Sequence, residues 1–337
     1  MSNKFLSTTS AFLLSTSMLV ADVPKVTVDI APVHSLVSKV MNGVGKPDLI
    51  IPAGASPHAY QLKPSNAKSI EDADIVFWVG EDLTPWLEKG LSSLAQDASI
   101  TPLLGVDGIE LLSFREGALF EAHDHDDNDD HDDHDDHGKK KHDDHDDHDD
   151  HGKKKHDDHD DHDEHAHGDH DPHAWLSPQI AKVWLNVIAA KLSEADPDNA
   201  AKYFSNAKLA RDNMDSLVSE VNSILDPIRD KKFVVFHDAY QYFEKDFGIS
   251  ASGAISLGDA SDPSPARLAE IRKRVVDEAV ECVLAEPQYK QGLVKAVVEG
   301  TNANTAVIDP LGVKLDSGPN LYENLIRNLA TNLAKCF

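Results

Sequence analysis

The sequence predicts an α/β protein of two units, each built on a mainly parallel sheet and joined to the other by a long helix. Short β-branched runs alternate with helical segments on both sides of a central stretch, a pattern that favours parallel strands covered by helices. Apolar residues recur with helical period from Ala200 to Leu225, a length of about 39 Å at about 1.5 Å per residue. A chain of 337 residues, 40% of them hydrophobic, is long enough for two domains.

The first unit comprises residues 22–120 and 172–196. Its predicted strands are three short apolar runs, at residues 26–33, 48–53 and 75–80. The helix after the third strand has Thr84 at its N-cap and Pro85 at its first position, and Ser177 caps a later helix.

The linking helix occupies residues 197–228, and the second unit occupies 229–337. Its predicted strands are again three apolar runs, each followed by helical sequence, at residues 232–236, 282–285 and 305–308. Both units therefore repeat the same alternation of strand and helix.

Residues 1–21 are predicted to be a secretory signal peptide. Lys4 precedes an apolar run from Ala11 to Ala21, which is shorter than the roughly 20 residues that cross a bilayer but is typical of the apolar part of a signal. A buried first helix is the alternative. We expect cleavage after Ala21 and an exported, soluble mature protein.

The chain has two cysteines, Cys282 and Cys336. An even pair in an exported chain favours a disulfide, which would stabilise the fold by about 4 kcal/mol by constraining the unfolded chain. Two free thiols are the alternative. A bond would hold the C-terminal helix, because Cys336 is the penultimate residue.

A tract at residues 121–171 carries most of the excess charge. It holds 24 acidic residues and 6 lysines, a net of -18 out of -27 for the whole chain, and 15 of the 19 histidines. A 14-residue unit repeats within it, too polar to bury a core, so we interpret the tract as a disordered, metal-binding loop. A solvated acidic linker without metal is the alternative.

The strong negative charge of the chain argues against nucleic acid or an anionic membrane as partner and favours cations.

Four histidines lie outside the tract. His58 follows the second predicted strand, His173 precedes a helix, His237 directly follows a strand, and His34 falls at a helix start, where we expect a local structural role. Because open α/β sheets bind ligands at the carboxyl ends of their strands, we expect the first three to share a metal site.

Two acidic residues also follow predicted strands of the second unit. Asp309 is the candidate for a fourth ligand, with a turn or helix-cap role as the alternative, and Glu286 is a weaker candidate. Enzyme motifs are missing: residues 44–46 (VGK) superficially suggest a P-loop, but its spacing is absent and Pro47 follows the lysine, and neither HExxH nor GxSxG occurs. Three ligands plus water could also serve a zinc hydrolase, but no clear general base accompanies them.

Several motifs together resemble the zinc-binding component of bacterial high-affinity zinc ABC uptake systems, in the cluster A-I substrate-binding family. They are GASPHAYQLKPS, DADIVFWVG, DPHAWLSP, FHDAYQYFEKDFG, ECVLAEPQ, VIDPLG and the terminal Cys. The resemblance covers about residues 24–337, and a His- and acid-rich insertion before the second histidine is characteristic of the zinc branch. It implies two lobes joined by a rigid helix, with the metal in the cleft between them.

The resemblance also implies roles for individual residues. The three zinc ligands of the family fall on His58, His173 and His237, and its disulfide falls on Cys282 and Cys336. The fourth ligand varies among relatives between a carboxylate and water. One zinc-uptake pattern has Glu directly before the first histidine, where this chain has Pro57, whereas Asp309 matches the acidic position of other members.

The chemistry of the ligands favours zinc. Three neutral imidazoles suit Zn²⁺ at about 2.0–2.1 Å, with a fourth position for water or carboxylate. Manganese prefers more oxygen ligands, and a carboxylate would then stand in place of His237.

We therefore expect a periplasmic receptor that captures Zn²⁺ and delivers it to an inner-membrane ABC permease for high-affinity import. We expect a monomer without enzymatic activity and without a nucleic-acid partner. The alternatives are a secreted zinc-dependent hydrolase and a metal-sequestering protein without a transporter.

Overall fold

The computed structural model describes residues 23–115, 170–256 and 263–337. The predicted signal peptide lies outside the described residues, and so does the acidic tract except for its last two residues, His170 and Asp171. Within the described ranges, no helix is long and apolar enough to cross a membrane.

Two four-stranded sheets form the two units, and every strand pair in them is parallel. The first sheet has the order β2-β1-β3-β4 and the strands Val26–Val28 (β1), Asp48–Leu49 (β2), Ile75–Trp78 (β3) and Ser99–Pro102 (β4). The second has the order β6-β5-β7-β8 and the strands Phe233–His237 (β5), Ala254–Ser256 (β6), Cys282–Ala285 (β7) and Asn304–Val307 (β8). The predicted α/β class is confirmed, and the two units share one strand order.

Helices follow most strands and cover the sheets. In the first unit they are Ala31–Val40 (α1), Pro64–Glu71 (α2), Pro85–Leu94 (α3) and Pro178–Ala195 (α4). The second unit has Gln241–Phe247 (α6), Pro265–Asp277 (α7), Gln291–Val298 (α8) and Leu321–Ala334 (α9). Ser177 caps α4 as predicted, since its hydroxyl accepts a hydrogen bond from the Ile180 backbone N–H at 3.1 Å.

The long helix between the units is α5, Ala200–Leu225, and the prediction of this helix is confirmed. Turns of 3₁₀ helix flank it, so helical structure extends over the predicted residues 197–228. It packs against α4 and α1 of the first unit and against α9 of the second. One continuous buried apolar cluster runs from the first sheet through these four helices to the second sheet, so the units share a core.

Two features of the strands differ from the prediction. The first strand ends at Val28 instead of residue 33, because Pro32 lies in the first turn of α1, where its fixed φ and missing N–H favour a helix start. The second and third strands also end early, at Leu49 instead of residue 53 and at Trp78 instead of residue 80. The apolar sequence continues past both ends because the residues that follow are still buried. Strands β4 and β6 were not predicted. Both are short strands at the edge of a sheet, and each pairs with one neighbouring strand only. Such edge strands have a weak hydrophobic pattern, so the sequence does not reveal them.

Candidate metal centre

The three histidines expected to share a site are brought together between the two units. His58 lies on the loop between β2 and α2, His173 precedes a 3₁₀ turn that leads into α4, and His237 is the last residue of β5. The ring centroids of His58 and His173 are 5.5 Å apart, and those of His173 and His237 are 5.3 Å apart. Imidazoles bound tetrahedrally to one ion have centroids about 5 Å apart, so the spacing fits a shared metal ion.

A small cavity lies among these rings. Its volume of about 20 Å³ has room for one water molecule or one small ion. No three His, Cys, Asp or Glu side chains among the described residues already stand in position to hold an ion. The lining residues are Ser56, Pro57, His58, His173, Trp175, His237, Glu286, Gln288, Tyr289, Pro310 and Leu311.

A buried carboxylate orients His173. Asp171 Oδ1 accepts hydrogen bonds from Nδ1 of His173 at 2.7 Å and from its backbone N–H at 2.9 Å. Both side chains are almost fully buried. Because the carboxylate takes the proton side of the ring, the neutral tautomer carries its lone pair on Nε2, which is the arrangement common to metal-binding histidines.

A second carboxylate holds His237 in the same way. Glu286 Oε1 lies 2.6 Å from Nδ1 of His237, and Glu286 is 1% exposed. Glu286 directly follows β7, which pairs with β5, so adjacent strands bring the two side chains together at their carboxyl ends. The sequence offers Glu286 as a weak candidate for a direct ligand; in the structure it contacts Nδ1 of His237, so Nε2 lies on the far side of the ring.

Tryptophan side chains hold the loops around the cavity. Trp86 Nε1 donates to the Pro57 carbonyl at 2.7 Å, which fixes the loop that carries His58. Trp175 Nε1 donates to the Pro310 carbonyl of the other unit at 2.8 Å. Tyr322 on α9 in turn donates to the Trp175 carbonyl at 2.9 Å. These three bonds hold the cavity walls to the surrounding scaffold.

Asp309 has a different environment. Its Oδ1 accepts from the Leu311 and Gly312 backbone N–H groups at 3.1 and 3.0 Å, and its Oδ2 accepts from the Val313 N–H at 2.6 Å. Among the described residues that line the cavity, its neighbour Pro310 is present and Asp309 is not. The structure thus shows Asp309 in a turn, the alternative role that the sequence left open.

The fourth histidine of the folded region, His34, lies apart from this cavity. Its Nε2 donates to the Pro47 carbonyl at 3.0 Å, and burial lowers the pKa of the ring. This is the local structural role that we expected of His34.

The predicted disulfide between Cys282 and Cys336 is confirmed, with a Cα–Cα distance of 5.8 Å. It joins the first residue of β7 to the end of the chain after α9. The strand that leads to Glu286 is therefore covalently tied to the C-terminal helix.

Asp171 is the residue of this centre that sequence reasoning missed. The interpretation placed it in the acidic tract, but it is 1% exposed and its backbone N–H donates to the Leu112 carbonyl at 2.8 Å. The signal that could have identified it is its position two residues before His173, where a carboxylate can reach both the backbone N–H and the ring.

The chain is similar to proteins of known sequence and known structure. The sequence profile described as zinc-uptake complex component A, periplasmic, matches residues 26–336. The high-affinity zinc uptake system protein ZnuA of Brucella abortus is 47% identical over 329 residues, covering 97% of this chain and 96% of its own. A crystal structure of ZnuA has a TM-score of 0.71 at 20% identity over 94% of this chain and 99% of its own. A ZnuA deletion mutant with zinc bound has a TM-score of 0.70 at 20% identity over 94% and 98%.

The structural likeness at this level of identity supports the fold, and the profile and sequence matches extend over nearly the whole chain. With its two parallel sheets, its long linking helix and its cluster of three histidines, the chain belongs to the family of periplasmic component A of zinc-uptake complexes.

Proposed function

We propose that this protein is a periplasmic receptor that captures Zn²⁺ between its two units and delivers it to an inner-membrane ABC permease. The ligands in this proposal are Nε2 of His58, His173 and His237. Zinc is the cargo, and the receptor acts as a monomer without enzymatic activity.

The observation that carries the proposal is the pairing of buried carboxylates with two of the three rings. Asp171 and Glu286 each take the Nδ1 side of a histidine, so the lone pairs of His173 and His237 lie on Nε2. Neutral nitrogen donors of this kind suit Zn²⁺ better than Mn²⁺, which prefers oxygen. The small cavity supports an ion as cargo, because an organic substrate of a hydrolase needs far more room.

Water is the simplest fourth ligand in this geometry. Asp309 stays a prediction as a ligand, and binding would require its carboxylate to give up three backbone N–H bonds. Each such bond is worth about 1 kcal/mol or more to a charged acceptor, so the exchange needs a comparable gain at the ion.

The test is a zinc titration by competition with a chelator dye, on protein whose residues 118–167 are replaced by a short Gly-Ser linker. The replacement keeps Asp171 and all described neighbours of the cavity. We expect one tight Zn²⁺ site, preference for zinc over manganese, and a loss of at least 100-fold when His58, His173 or His237 is changed to Ala. Parent-like binding by all three variants would refute the proposed site. Uptake by cells that depend on this receptor should fall in parallel.

A further inference from the structure

A short segment of the first unit, residues 110–115, pairs with the residues that precede His173; we call it the strap. Ser113 of the strap forms an antiparallel bridge with His170. The next residue, Asp171, donates its N–H to the Leu112 carbonyl at 2.8 Å. The carboxylate that orients His173 therefore sits at the edge of a two-stranded pair, beside the other unit.

Helix α6 of the second unit holds this pair from the opposite side. The hydroxyl of Tyr242 accepts from the Leu112 N–H at 3.0 Å and donates to the Asp171 carbonyl at 2.9 Å. Gln241 Nε2 donates to the Ser113 carbonyl at 3.0 Å and to Asp171 Oδ2 at 3.2 Å. Asp171 is thus bonded through its main chain and its side chain to two consecutive residues of α6.

The same helix is coupled to His237. The helix begins only four residues after His237, at Gln241. The residue directly after His237 is Asp238, whose carboxylate accepts a hydrogen bond from Arg115 of the strap. Arg115 Nε lies 3.0 and 2.9 Å from the two Asp238 oxygens, and Nη1 lies 2.8 Å from Glu244 Oε2 on α6. Hydrogen bonds and ion pairs therefore join the strap, α6 and the residue that follows β5.

We propose that Gln241 and Tyr242 are positioning residues of the metal centre, acting through Asp171. Gln241 holds the Asp171 carboxylate and Tyr242 holds the Asp171 main chain, both from the unit that carries His237. Together they set the direction of His173 Nε2 relative to His237. Metal sites tolerate misplacement of only about 0.5 Å or 10–20°, so a carboxylate fixed from one side alone would orient the ring too loosely. This inference rests on the proposed function, since it assigns residues to the same site.

The test uses Gln241→Ala and Tyr242→Phe in the protein with the shortened tract. The controls are Gln291→Ala, which changes an exposed glutamine at the same first position of α8, and Tyr203→Phe, which removes a buried hydroxyl that bonds to Asp196. We expect Gln241→Ala and Tyr242→Phe to weaken zinc binding about threefold to tenfold, with both controls unchanged. The visible absorption bands of the Co²⁺ complex should shift in the same two variants, because they report ligand geometry.

A double-mutant cycle separates positioning from a general loss of structure. In an Asp171→Ala background, Gln241→Ala should cause no further loss of affinity and no further shift of the Co²⁺ bands. Equal losses in both backgrounds, or affinity and Co²⁺ bands like the parent's in both single variants, would overturn the inference. A parent protein without a tight zinc site would instead refute the proposed function.

Discussion

Asp171→Asn should impair zinc binding although it changes one atom. In the protein, Oδ1 of Asp171 accepts two hydrogen bonds from His173, and Oδ2 accepts one from Gln241. The Asn side chain can take two orientations. If its oxygen faces His173, its NH₂ group faces the NH₂ group of Gln241, and two donors then meet without an acceptor. The reverse orientation makes His173 Nδ1 an acceptor, which moves the ring proton to Nε2 and removes the lone pair that a metal needs.

The expected loss follows from these two orientations. Removing a carboxylate that orders a metal-binding histidine costs about 10- to 100-fold in affinity, or about 1.4–2.8 kcal/mol. The upper part of this range applies here, because Asp171 and His173 are nearly inaccessible to water that could replace the lost contact. The effect should exceed that of Gln241→Ala, which removes only one support of the same carboxylate.

Zinc competition titrations on the protein with the shortened tract measure this loss. Asp196→Asn is the matched control, since Asp196 is fully buried and accepts from Tyr203 and Asn199 at the end of α4. Circular dichroism of the metal-free variants shows whether both remain folded. Zinc affinity of Asp171→Asn within twofold of the parent would refute the orienting role of the carboxylate.

Three more predictions concern the rest of the chain. Replacing Cys282 and Cys336 by Ala should lower the free energy of unfolding by up to about 4 kcal/mol in denaturant titrations. Burial raises the pKa of Asp29 to about 7, so the folded state keeps a proton that the unfolded state releases above about pH 4. Stability should therefore fall from about pH 4 to 7, and Asp29→Asn should flatten this fall in denaturant titrations at each pH. Shortening the tract over residues 118–167 should remove weaker zinc sites and leave the tight one, as counted by calorimetry; unchanged stoichiometry would favour a simple linker.

The three histidines that line the cavity could be predicted to lie together, because local sequence carries their signal. His237 ends a β-branched run, and His58 and His173 sit beside a strand end and a helix cap in a chain with few other histidines outside the tract. The long helix was equally accessible, since its apolar period continues through 26 residues.

The carboxylates that contact the histidine rings could not be predicted, because hydrophobic periodicity carries no information on tertiary contacts. Glu286 meets His237 across a separation of 49 residues, and only the placement of β7 next to β5 brings them together. Asp171 ends a long run of acidic residues, so the sequence does not distinguish it from the tract. Only its contacts with Leu112 and α6 show that it belongs to the folded part of the protein. Asp309 accepts hydrogen bonds from backbone N–H groups of its own turn. The sequence could not decide between this turn role and a role as ligand, because aspartate is common in both.

Anomalous diffraction at the zinc edge, from crystals of the zinc-loaded protein with the shortened tract, tests the central claim most directly. We predict a single strong peak between the units, with Nε2 of His58, His173 and His237 at about 2.0–2.1 Å. In that structure Asp171 and Glu286 should still bond to the Nδ1 atoms. A peak elsewhere, or an ion bound by fewer than three of these imidazoles, would contradict the account.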